Sequence, residues 1–291
     1  MTAPCLSRPK ISIVTPSFNQ ACFIEEALQS VKEQSYPAAE HLVIDGGSSD
    51  GTVEILKRYS SQPGWEHLHW ISERDRGQSD ALNKGFRTAT GDIVGWLNSD
   101  DRYRSGCFQT IVDGFQKHDE ADVIYGDYTW VDEKGKITQV RREISFSRFI
   151  LLYHRVLYIP STATFFNRRI FENSEFINTD LHYSMDYEFF VRLAQHGYRF
   201  KHVSGLLADF RWHSSSKTVT NAAAQSKEVD EVVRQYSRPL RRCPTRATQT
   251  LGLRVLRVAA AGARYFEKLL RGYYFGQWIP SRRLAPERGR N

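Results

Sequence analysis

The chain has 291 residues, 41% hydrophobic and 25% charged, enough for one large domain with a sizeable core. No run of about 18 apolar residues occurs, and the start MTAPCLSRPK lacks an apolar centre, so neither a membrane span nor a secretory leader is predicted. The net charge of +7 is uneven: residues 1–220 carry 25 Lys and Arg against 28 Asp and Glu, residues 221–291 carry 15 against 5. Composition thus excludes the body as a nucleic-acid-binding surface and leaves the last quarter with an anionic partner to explain. Cys5, Cys22, Cys107 and Cys243 lack metal-finger or CxxC spacing and read as free thiols, which predicts a reducing, cytoplasmic location.

In chain order, Ile11-Ser12-Ile13-Val14 is a β-branched run that stops at Thr15-Pro16, as a buried strand does. Phe23, Ile24, Ala27, Leu28 and Val31 recur at helical spacing with Pro37 beyond, so a helix is predicted over 21–34. His41–Ile44 is a second strand, broken by Asp45-Gly46-Gly47-Ser48, and Ser49 or Asp50 is placed to cap a helix over 52–59. Leu68–Ile71 is a third strand, Ser79–Ala89 a helix stopped by Gly91, and Ile93–Leu97 a fourth strand. Strands alternating with helices predict a parallel sheet covered on both faces, with ligands beyond the carboxyl ends of its strands. Thr15, Asp45 and Asp100-Asp101 all fall at such ends.

The second half is less regular. Cys107–Lys117 has helical periodicity, Val123–Tyr125 and Tyr128–Val131 read as strands, and Glu133–Lys136 as a hairpin-type turn. Helix and loop are predicted over 145–158, a strand over Pro160–Phe166, and a helix over 184–196 ended by Gly197. Further on, Arg254, Arg257, Arg264, Lys268 and Arg271 fall within an arc of about 100° at about 100° per residue. Leu251, Val255, Val258, Phe266, Leu269, Leu270 and Tyr273 cluster roughly opposite, and Tyr274, Phe275 and Trp278 follow. Such a helix suits an anionic membrane surface; a helix docking on the body or on another subunit is the other reading.

Chemistry enters with GDIVGWLNSDDRY, where a buried-looking strand ends in adjacent carboxylates. Two like charges repel unless solvated or paired with a cation, and no basic residue lies between strand and pair. A divalent cation, Mn²⁺ or Mg²⁺, is the natural partner and is commonly shared with substrate phosphates. Alone, Ser-Asp-Asp also reads as a solvated turn.

The segments ISIVTPSFNQACFIEEALQSVKEQSYPAAEHLVIDGGSSDGT, DRGQSDALNKGFRTATGDIVGWLNSDD, HYSMDYEFFVRLAQHG and RWHSSSKT stand in that order. Together they resemble a family 2 glycosyltransferase of the GT-A fold over about residues 10–220, in the form found in bacterial O-antigen and surface-polysaccharide enzymes. The resemblance implies a mixed α/β sheet flanked by helices, divided into a nucleotide-sugar half (1–105), an acceptor half (106–220) and a helical basic tail (221–291). It also implies inverting transfer of a sugar from a nucleotide diphosphate donor, UDP favoured, to a glycan or lipid-linked acceptor, with Mn²⁺ or Mg²⁺, in the cytoplasm or on the inner face of the membrane.

Carried over residue by residue, Thr15, Pro16 and Phe18 line the nucleotide base and Asp45 contacts it, while Gly46 stands where the family commonly has a second acid. Asp80, Asn83 and Lys84 flank the ribose and diphosphate; with Arg87 they also share one helix face, as a solvated amphipathic helix would show. Asn98 replaces the first acid of the metal motif, leaving Asp101 as the metal ligand and Asp100 as a ribose or neighbouring contact. The resemblance makes Asp186 the base that takes the acceptor proton, with Glu188 second; a first-turn acid also stabilises its helix dipole. His213 completes the metal site or touches the diphosphate, Arg211 and Lys217 offset phosphate charge, and Trp212 is a core residue or an acceptor platform. Ala208 stands where the processive enzymes' Gln-x-x-Arg-Trp has glutamine, which implies one sugar per encounter. A nucleotidylyltransferase would carry a glycine-rich basic loop in place of TPSFNQ, and an inactive nucleotide-sugar-binding protein is the remaining alternative.

Overall fold

A computed structural model describes residues 8–213 and 222–274. Cys5, Lys217, Phe275 and Trp278 lie outside them. Four parallel strands form the first half: β1 (Ile11–Ser17), β2 (Glu40–Asp45), β3 (Leu68–Ser72) and β4 (Ile93–Trp96), in spatial order 3-2-1-4. Helices α1 (Ile24–Lys32), α2 (Thr52–Ser60) and α3 (Gln78–Thr88) connect them. β1 is buried along its whole length because it is covered on both faces. Ile11 and Ile13 join the core under α1 and α4 (Cys107–Lys117), whereas Val14 joins Leu82 and Phe86 of α3 on the opposite face, the period of two of a strand.

The sheet continues into the second half. β8 (Thr164–Asn167) runs antiparallel to β4 and to β6 (Val123–Val131), and β6 pairs in parallel with β9 (Phe200–Arg211). The short β5 (Arg102–Tyr103) closes the far edge on β9, and β7 (Ile137–Arg141) forms a hairpin with β6. Two strands were expected over 123–131; there is one, whose register with β9 shifts between Gly126 and Tyr128. Pro160–Phe166 begins as a turn of 3-10 helix at Ser161–Ala163 before β8. Periodicity left 198–211 unassigned, and it supplies the longest strand.

Helices α5 (Arg148–His154), α6 (Arg169–Glu172) and α7 (Met185–His196) cover this half, and Gly197 ends α7 with a φ of 91°. The chain then forms α8 (Ala222–Tyr236), α9 (Arg238–Arg241) and the 25-residue α10 (Arg246–Leu270), which Thr245 caps. Among the described residues no helix is long and apolar enough to cross a membrane. α10 packs on the body by its basic face. Arg264 and Lys268 turn inward onto buried Glu143 at 2.7 and 3.2 Å, and Arg257 approaches Asp230 at 3.5 Å. The apolar residues Leu251, Val255, Val258, Phe266, Leu269 and Leu270 face outward.

Candidate active site

Beyond the carboxyl ends of β1, β2 and β4 lies a cleft of about 570 Å³. Pro16, Ser17, Phe18, Gly46, Asn98 and Asp100 line it from those strand ends, and Arg74, Asp75, Gly77, Gln78 and Ala81 from the approach to α3 and its start. From the second half come Ser161, His182, Tyr183, Asp186, Phe210 and His213. A more open depression of about 450 Å³ around Asp122, Arg169 and His196 holds none of these strand-end residues. Its acids are already paired, Asp122 with Arg169 and Glu120 with Lys201, and its His196 is held by Glu175.

The adjacent acids take different places. Asp100 lines the cleft, its Oδ2 2.9 Å from His213 Nε2. Asp101 is buried, and both its oxygens are engaged: Oδ1 accepts from the Arg211 backbone N–H at 2.8 Å, and Oδ2 from Asn98 Nδ2 at 3.1 Å and from Thr162 Oγ1. Burial above all, then the charge of Asp100, pushes the Asp101 carboxyl up to about 8. Asp100 thus stands beside His213 in the cleft, and Asp101 lies behind it, anchoring the turn. Asn98 has a local reason to be an amide. It donates to Asp101 while its carbonyl accepts from Trp96 Nε1 and Gln78 Nε2, both at 2.9 Å, where a third carboxylate would meet Asp101 with like charge.

Arg211 holds this arrangement from behind. Fully buried, it donates through Nε to the Asp100 carbonyl at 2.8 Å, through Nη1 to the Glu133 carbonyl at 2.8 Å, and through Nη2 to Glu26 Oε2 at 2.7 Å. Its guanidinium lies over the Phe23 ring, and Phe23 in turn packs on His213. A guanidinium spent on these bonds is not available to phosphate, so its expected role there is not met. Trp212 is half-exposed and stacks on Trp130, outside the core.

At the nucleotide end, Pro16 lines the cleft and the exposed ring of Phe18 offers an apolar face. Thr15 and Asp45 do not reach it. Thr15 Oγ1 lies 2.9 Å from His41 Nε2, and burial holds that imidazole neutral, with a pKa of about 3. Asp45, fully buried, accepts from the Gly47 and Ser48 N–H groups, from Ser48 Oγ and from Ser72 Oγ, which ties β2, its turn and β3 together. Gly46 leaves room for another acid: a Cβ there would lie 2.8 Å from Asp75 Oδ2. A carboxylate from the next loop thus occupies the space that an acid at 46 would enter.

Asp80, Asn83 and Lys84 also point away. Asp80 bonds the Arg76 N–H, Lys84 pairs with Glu73 at 2.7 Å, and buried Asn83 exchanges two 2.8 Å hydrogen bonds with the Ile177 backbone. The cleft side of α3 is Gln78 and Ala81 instead.

Asp186 faces the cleft from the first turn of α7, and burial pushes its pKa up from 3.8 to about 6. Glu188 is excluded as its substitute, being buried and bound by Arg192 Nε at 2.9 Å and Tyr236 Oη at 2.7 Å. The sequence reading missed Arg74, Asp75, Gln78, His182 and Tyr183; the available signal was that the last four stand inside the motif segments and Arg74 directly precedes one.

Among the described residues no three His, Cys, Asp or Glu converge as a ready-made metal centre. Asp100 and His213 do fit a divalent cation, since carboxylate and imidazole both suit Mn²⁺ and a carboxylate suits Mg²⁺.

The fold is shared with solved glycosyltransferases. S. aureus TarS 1–349 in complex with UDP-GlcNAc matches with a TM-score of 0.64 at 17% identity, over 94% of this chain and 76% of that one. The mannosyltransferase PcManGT of Pyrobaculum calidifontis, in complex with GDP-Man and Mn²⁺, matches with a TM-score of 0.57 at 18% identity, over 94% and 82%. The fold is therefore that of the GT-A glycosyltransferases. Residues 12–174, more than half of the chain, match glycosyl transferase family 2, and the protein belongs to that family. An uncharacterized glycosyltransferase of Mycobacterium tuberculosis is 31% identical over 190 residues, 65% of this chain and 70% of that protein. The chondroitin synthase of Escherichia coli is 24% identical over 235 residues, 78% of this chain but 32% of that protein. Relatives thus include enzymes named for polysaccharide synthesis.

Proposed function

We propose that this glycosyltransferase moves a sugar, with inversion, from a nucleoside diphosphate donor to a hydroxyl of a glycan or lipid-linked acceptor in surface-polysaccharide synthesis, one sugar per encounter. The observation that carries the reading is a single cleft holding the Asp100–His213 pair and the raised carboxyl of Asp186. Asp186 takes the acceptor hydroxyl's proton as that oxygen attacks the anomeric carbon from the face opposite the leaving diphosphate. Asp100 and His213 would hold the cation, which when bound supplies positive charge to the departing diphosphate. Pro16 and Phe18 give the base an apolar wall. UDP-sugars are the first donors to test, because TarS holds UDP-GlcNAc, with GDP-Man as the contrast.

A panel of nucleotide sugars titrated by calorimetry with and without Mn²⁺ tests this. Binding should depend on Mn²⁺ and fall at least about tenfold in Asp100→Ala, about 1.4 kcal/mol. Metal-independent binding, unchanged in that variant, would remove the assignment.

A further inference from the structure

The outward face of α10 is apolar and regular. Leu251, Val255, Val258, Phe266, Leu269 and Leu270 are 46–73% exposed, and the stripe runs about 28.5 Å at 1.5 Å per residue. Monomeric proteins seldom leave such a strip to water. The helix is not loosely attached, since Arg264 and Lys268 hold it on Glu143 and Arg271 Nη2 donates to Ser145 Oγ. Just before the stripe, Arg238, Arg241, Arg242 and Arg246 are exposed and make no ion pair among the described residues.

Charge complementarity chooses the occupant. Residues 238–271 hold nine Lys and Arg against one acid, Glu267, which already pairs with Arg271. A second copy laid along the stripe would set one basic surface against another. An anionic surface with an apolar interior matches both parts.

We propose that the outward stripe of α10 and the arginines before it form the surface by which this chain rests on an anionic lipid bilayer. The apolar side chains enter the boundary between headgroups and acyl chains, and Arg238, Arg241, Arg242 and Arg246 meet lipid phosphates. This surface is independent of the transfer chemistry, so it can be tested without donor or acceptor.

The test is flotation of the full chain with vesicles of phosphatidylcholine, alone or mixed with phosphatidylglycerol. Binding is expected only to the mixed vesicles and should drop roughly tenfold or more in Val255→Asp/Val258→Asp. Gly262→Leu should strengthen binding severalfold, because Gly262 lies within the stripe and nothing stands within 4 Å of an added Cβ. Thermal melting of the aspartate variant should stay close to the parent and that of Gly262→Leu should match or exceed it, as the substituted sites are open to solvent and leucine is the better helix former. Flotation that persists in the aspartate variant overturns the proposal. So does absence of binding to either vesicle, or a smaller sedimentation coefficient of the aspartate variant in lipid-free solution, which would assign the stripe to a second copy.

Discussion

Asp186 combines a helix-start position with burial strong enough to lift its carboxyl from 3.8 to about 6. A base must be ionised to act, so transfer should rise with pH to a plateau above about 6 and fall as protons return below it. The same shift has a stability consequence of opposite benefit. Because the folded pKa is raised, the fold disfavours the carboxylate; stability falls as pH climbs from about 4 to 6, and the cost remains at neutral pH. Asp186→Asn should therefore nearly abolish transfer and leave donor affinity intact, while raising stability at pH 7 by on the order of 1 kcal/mol. Rate profiles and melting at pH 4 and 7 check both parts; near-normal turnover would take the base role from Asp186. The Asp100–Asp101 pair makes the companion point. Two adjacent, chemically identical residues are separated by a backbone that aims one carboxylate at His213 and the other at the Arg211 amide.

At the scale of elements, the cleft depends on how closely α3 approaches β1. Gly85 permits that approach, since a Cβ there would lie 2.3 Å from Val14 Cγ1. The close contact places the start of α3 so that Gln78 bonds Asn98, whose amide steadies Asp101. Gly85→Ala gains helix propensity but must push α3 off the sheet. Net destabilisation of about 1–3 kcal/mol is expected, together with weaker donor binding. Denaturant melts and donor titration would show it; a more stable variant with unchanged affinity would mean that the helix is not seated by this contact. On the far side, Arg211 ties the end of β9 to the loop after β4, to the β6–β7 hairpin and to α1. Four elements thus fix one turn.

For the whole molecule, the acidic body and basic tail are parts of one electrostatic design. Glu143 is fully buried under α10, where its Oε2 meets Arg264 and Lys268 and its Oε1 lies 3.8 Å from Arg141. Removing the carboxylate leaves buried positive charge without a partner, a change that costs more than the intact pair contributes. Glu143→Ala is expected to destabilise the protein by about 3 kcal/mol and to open the 237–250 region to limited proteolysis. Wild-type melting and cleavage would show that the helix is held by its packing on α5 alone. The docking also explains why the net charge of the last quarter overstates the positive surface. Part of that charge is spent inward, and among the described residues Arg238, Arg241, Arg242 and Arg246 stand exposed before the apolar stripe.

The sequence by itself determined the alternation of strands and helices, the strand-end positions of its acids, and part of the cleft lining, namely Pro16, Phe18, Asp100 and Asp186. These follow from local periodicity, because a β-branched run and its terminating turn are set within a few residues. Only the tertiary structure decided that Asp100 and not Asp101 faces His213, that Asn83 and Lys84 serve packing and pairing, that Asp75 stands over Gly46, and that α10 docks by its basic face. Each of those depends on partners tens of residues away. A pattern along one element gives its two faces but not which of them the rest of the chain covers, and buried acids able to neutralise arginine drew the charged face of α10 inward.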